Sequence, residues 1–148
     1  MTKTILLVED NASDEKLTLR AFRDCGVTNQ IEVVRDGAEA LDYLLAQGPY
    51  LDRADSPLPT VVLLDLKLPK IDGLEVLRRL RADPRTKLLP IVILTSSREE
   101  EDVLRSYSLG ANAYVRKPVE FTAFIQAARI LGLFWMLVNE PAPATGVP

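Results

Sequence analysis

A chain of 148 residues, 47% hydrophobic and 26% charged, has the length for one domain with a real core and the balance of a globular protein. Its net charge of −3 gives no general pull toward nucleic acid or an anionic bilayer, and its single cysteine, Cys25, excludes an intrachain disulfide. Histidine is absent, which removes Ser–His and Cys–His nucleophilic catalysis and any histidine-held metal.

The opening residues, MTKTILLVED, hold too few apolar positions for a signal peptide, and no apolar stretch reaches the roughly 18 residues of a membrane span. A cytoplasmic protein with no membrane and no DNA partner is expected. Thr4 to Val8 reads as a first strand running into Glu9 and Asp10. Asn11 or Ser13 caps a helix that turns Leu17, Ala21 and Phe22 inward and stops at Gly26. A short second strand, Ile31 to Val34, is followed by Asp36–Gly37 and a helix with Ala38, Leu41, Leu44 and Leu45 on one face. A polar connection covers roughly Gly48 to Pro59, longer than most such loops.

Val61 to Leu64 is a continuous apolar run that ends in Asp65. Runs of that kind are strands buried on both faces, as in parallel sheets covered by helices. Asp72 caps a third helix carrying Leu74, Leu77 and Leu80, which ends at Asp83–Pro84. Ile91 to Leu94 is a fourth strand running into Thr95. Ser97 and Glu100 have the spacing of a capping box, so a fourth helix is expected from about Arg98 to Leu109. Ala113 to Val115 is a fifth strand running into Arg116, Lys117 and Pro118. A last helix runs from about Phe121 to Val138. The domain is expected over 3–138, and the tail, 139–148, is expected to be disordered. Five alternations of strand and helix make an α/β fold, a doubly wound five-stranded parallel sheet with five helices.

In a parallel sheet the strand ends share one edge, and ligands bind there. Glu9, Asp10, Asp65, Thr95 and Lys117 therefore converge. Three carboxylates that close repel one another unless a cation intervenes, and oxygen ligands without Cys or His suit Mg²⁺. Acids, a hard cation, an ammonium and a hydroxyl suit the transfer of a phosphoryl group to a carboxylate.

The acid pair Glu9–Asp10, LLDLKLPKIDG around Asp65, the threonine of VILTSS and the lysine–proline pair of YVRKPV resemble the receiver domain of two-component response regulators. Segments such as NASDEKLTLRAF, LGANAYVRKPVEF and LGLFWMLVNEP are similar to single-domain regulators paired with phytochrome-type histidine kinases. The resemblance implies a flavodoxin-like strand order, 2-1-3-4-5. It implies that Asp65 is the phosphoacceptor and takes the group from a histidine kinase. Asp10 and Asp65 would bind Mg²⁺ directly, Glu9 through water, and Lys67 through its backbone carbonyl. Lys117 and Thr95 would meet the phosphoryl oxygens, Tyr114 would move with Thr95, and Pro118 would follow a cis bond.

Two other readings compete. A haloacid-dehalogenase-type phosphatase also uses an aspartyl nucleophile, but it needs an aspartate two residues later, where this chain has Lys67. A binding module indifferent to phosphorylation would have no use for the full set of acids, threonine and lysine. The end of the last helix, Leu133, Phe134, Trp135, Met136, Leu137 and Val138, is apolar at every position. A helix on a sheet buries one face, so the excess predicts a homodimer or partner contact through these residues.

Overall fold

Three buried strands flanked by two half-buried ones set the architecture of the computed structural model, which describes residues 3–27 and 29–143. In chain order the elements are β1 (Thr4–Val8), α1 (Ala12–Asp24), β2 (Gln30–Val34), α2 (Gly37–Leu45), β3 (Val61–Leu64), α3 (Gly73–Ala82), β4 (Ile91–Thr95), α4 (Glu100–Ser108), β5 (Ala113–Arg116) and α5 (Phe121–Leu133). All strands are parallel and ordered β2-β1-β3-β4-β5, the expected doubly wound sheet.

Side chains alternate across a strand, so each strand feeds both faces. Leu6, Val8, Val62 and Leu64 pack under α2 and α3 with Leu41, Leu44, Val76 and Leu77. Ile5, Leu7, Val61 and Leu63 pack under α1 and α5 with Phe22, Ala128, Leu131 and Trp135. Each such aliphatic side chain contributes about 1.5–3 kcal/mol when fully buried. Asn11, Asp36 and Asp72 cap α1, α2 and α3, accepting from the N–H of Asp14, Glu39 and Glu75.

Three local expectations need correction. The polar connection after α2 is not a plain loop: Gly48–Asp55 forms 3-10 turns. The Arg53 guanidinium lies 3.8 Å from the centre of the Tyr43 ring, and Arg85 donates to the carbonyls of Leu44, Arg53 and Ala54. Those bonds satisfy backbone that would otherwise need water. At the start of α4 no capping box forms. Ser97 donates to Asp102 at 2.6 Å instead, and the helix begins at Glu100.

The third correction concerns the last helix. After Leu133 it widens into a π turn, Phe134–Val138, closed by a 2.7 Å bond from the Asn139 N–H to the Phe134 carbonyl. The wider turn brings two successive residues inward: Trp135 is 8% exposed and Met136 4%. Both join the core under β1 and β3. They are packing residues, and only Phe134, Leu137 and Val138 of that end are well exposed. Gly132 permits this docking, because a Cβ there would lie 2.9 Å from Val27 Cγ2 and 3.1 Å from Phe22 Cδ1. Phe121–Val138 is also long and apolar enough to cross a membrane by length and composition, contrary to the expectation that no stretch is. Its inner stripe is used against the sheet. Of the tail, residues 144–148 lie outside the described residues.

Candidate functional site

β1 and β3 are neighbours in register, Val8 beside Leu64, so the residues just past their ends are delivered side by side. The Asp65 N–H donates to the Val8 carbonyl at 3.1 Å, extending the ladder by one residue. Glu9, Asp10 and Asp65 each place a carboxylate oxygen within 4.8 Å of the others. Glu9 is 1% exposed and Asp65 7%, whereas Asp10 is exposed. Such a hard, all-oxygen donor set fits a divalent cation of the Mg²⁺ or Mn²⁺ type.

Lys117, at the end of β5, reaches the same place. Its Nζ donates to Asp65 Oδ2 at 2.8 Å, to Asp14 Oδ2 at 3.0 Å and to Glu9 Oε1. Thr95 Oγ1 donates to Asp65 Oδ1 at 2.8 Å, and the Lys67 N–H donates to the same oxygen at 3.3 Å. Tyr114, on β5, donates to the Ser97 carbonyl at 3.2 Å. Every side chain singled out at the strand ends is thus brought together. Beside Asp10 is a depression of about 420 Å³, lined also by Lys67, Asp72 and Asp102.

The electrostatics keep Asp65 ionised. Burial alone would raise its pKa, but the hydrogen bond and charge of Lys117, with the donors of Thr95 and Lys67, hold it below the usual carboxylate value. Burial likewise opposes the charge on Lys117, and its carboxylate partners outweigh it, raising its pKa. Glu9 goes the other way: burial lifts it to about 7 against the pull of Lys117. A carboxylate that stays charged and half-enclosed beside an ammonium is a nucleophile with its product charge already provided for.

Two site features differ from expectation. Among the described residues no peptide bond is cis, so Lys117–Pro118 is trans. Trans is the lower form of an X–Pro bond by roughly 0.5–1 kcal/mol. Lys117 is placed here by its own N–H, bonded to the Thr95 carbonyl at 2.7 Å, without the other isomer. The second feature is Asp14, which the sequence reading does not single out. Its signal is present all the same: it stands one turn into a helix that starts at the β1 end, so it faces the same edge.

Gly73 supports the site from below. A Cβ there would collide with the Asp65 carbonyl and come 2.7 Å from Leu66 Cα. Gly73→Ala is expected to cost about 1–3 kcal/mol, read from urea midpoints. It should also shift the amide resonances of Asp65 and Leu66, whereas a helix surface substitution such as Arg78→Ala should do neither.

Comparison with known proteins agrees with this geometry. The family model for the response regulator receiver domain matches residues 5–129. A probable methanogenesis regulatory protein, FilR2 of Methanothrix harundinacea, is 42% identical over 142 residues, covering 95% of this chain and 88% of that protein. The phosphorylated cyanobacterial phytochrome response regulator RcpA superposes with a TM-score of 0.89 at 37% identity, covering 97% of this chain and 100% of that one. The bacteriophytochrome response regulator AtBRR is 54% identical with a TM-score of 0.74, over 95% of this chain and 99% of that one. With a family match across most of its length and its acids, threonine and lysine in one constellation, this chain belongs to the response regulator receiver domain family.

Proposed function

We propose that Asp65 accepts a phosphoryl group from a phosphohistidine on a partner histidine kinase, and that the phosphorylated chain signals by a change of shape or assembly. The observation that carries this is the Asp65 carboxylate with Lys117 on one oxygen and Thr95 on the other. In the transfer an Asp65 oxygen attacks phosphorus as the P–N bond of the donor breaks. The electron pair leaves on the imidazole nitrogen, and the carboxylate charge passes to the phosphoryl group. Lys117 and Thr95 are the donors within reach of that charge. Asp10 and Asp65 directly, Glu9 through water and the Lys67 carbonyl would hold Mg²⁺, which neutralises phosphoryl oxygens. Signalling is the role, and no turnover of phosphomonoesters is expected of a site with Lys67 where a phosphatase needs an acid.

The partner kinase is of the phytochrome type in this reading, supported by the likeness to RcpA and AtBRR. A second copy of the chain is the proposed occupant of the exposed strip Ile130, Phe134, Leu137 and Val138 on the last helix. A cytoplasmic location without DNA binding follows from the same role. The metal assignment has its own check. Mg²⁺ titrated by calorimetry should bind the wild type, and Asp10→Asn should weaken it at least about tenfold, since losing a group that merely supports a ligand already costs that much. Equal affinity in the two proteins would remove Asp10 from the set.

A further inference from the structure

We propose that Asp14 is a positioning residue for phosphoryl transfer, holding the Lys117 ammonium so that one of its N–H groups stays aimed at Asp65. The proposal rests on Asp65 being the phosphoacceptor. An ammonium has three N–H donors, and here each has a carboxylate: Glu9, Asp14 and Asp65. Two of those three carboxylates belong to the cluster suited to a divalent cation, and Asp14 does not. A cation drawing on Glu9 and Asp65 therefore leaves Asp14 as the one partner of Lys117 that it does not share.

The backbone of Asp14 is firmly set, which fixes where its side chain starts. Its N–H donates to Asn11 Oδ1 at 2.9 Å, and the buried Thr18 donates to its carbonyl at 2.8 Å. Lys117 has a long, flexible stem, and its rotamer freedom opposes any single placement. Fixing one of its donors from the first turn of α1 leaves another to face Asp65. When the O–P bond forms and the donor P–N bond breaks, negative charge moves outward from the carboxylate to the phosphoryl oxygens. An ammonium anchored by Asp14 can follow that charge without leaving the site.

The bland account of Asp14 is a first-turn acid favouring the helix dipole. Glu15 does that at the next position while pairing with Arg35, away from Lys117. The two accounts therefore separate by experiment. Labelling of Asp65 by phosphoramidate, in which ammonia leaves as the P–N bond breaks, is timed at saturating Mg²⁺. We expect Asp14→Ala to slow it roughly tenfold, the scale of one lost charge-assisted hydrogen bond. Asp14→Asn should fall between, and it carries the test should the alanine variant not fold. Mg²⁺ affinity by calorimetry should stay within about twofold, and Glu15→Ala should label at the wild-type rate. A rate within about twofold of wild type, a fall in Mg²⁺ affinity matching the fall in rate, or an equal slowing by Glu15→Ala would each overturn the proposal. A wild type that takes no label would overturn the phosphoacceptor reading and this inference together; label on the wild type with no effect at Asp14 would overturn only the latter.

Discussion

Asp65→Asn is expected to abolish labelling. Incubated with a phosphorylated histidine kinase, the wild type should carry a base-labile phosphoryl group, and the variant less than about a hundredth as much, since an amide is no nucleophile here. The expectation is strong because no neighbour can stand in. Glu9 is buried behind Lys117, and burial raises its pKa to about 7. Asp10 is exposed and lacks the ammonium and threonine donors that Asp65 has. Label persisting on the asparagine protein would mean that the acceptor lies elsewhere. The shape of the variant should survive, because the amide side chain still offers an oxygen to Thr95 and the Lys67 N–H.

The second large effect separates stability from association in the last helix. Trp135→Ala should lower unfolding stability by about 3–5 kcal/mol, the usual cost of removing a large buried aromatic side chain. Leu137, at 75% exposed, should tolerate glutamate within about 0.5 kcal/mol. On the proposed assembly, light scattering should then find a dimer for the wild type and a monomer for Leu137→Glu. Urea curves that fall equally for both variants would mean that Leu137 is covered in the free chain. A wild type that stays monomeric at high concentration, with and without phosphate, would remove the second copy from the proposal.

Much of this is legible in the residues because the strands speak plainly. Val61–Leu64 and Ile91–Leu94 are apolar without a break, and each ends in a polar residue, so parallel packing follows from burial on both faces. Once the sheet is parallel, convergence of Glu9, Asp65, Thr95 and Lys117 is a matter of topology. Asp14 escapes such a reading because a helical residue near a strand end looks like any first-turn acid until its distance to Lys117 is known. The Trp135–Met136 pair reads as interface in the sequence for a different reason. Periodicity of 3.6 assigns neighbours to different faces, and only a local change of helical pitch lets both turn inward. The Ser97–Asp102 bond likewise competes with a capping box that the spacing alone favours.

The ladder between β1 and β3 has a further consequence. Because backbone hydrogen bonds fix Val8 beside Leu64, the acids that follow cannot drift apart to relieve their repulsion without unzipping the middle of the molecule. The folded chain keeps that strain, while an unfolded one disperses it. A divalent ion seated there would meet its ligands assembled only in the native form, so on the proposed metal binding added ion should raise stability as RT ln(1 + [ion]/Kd).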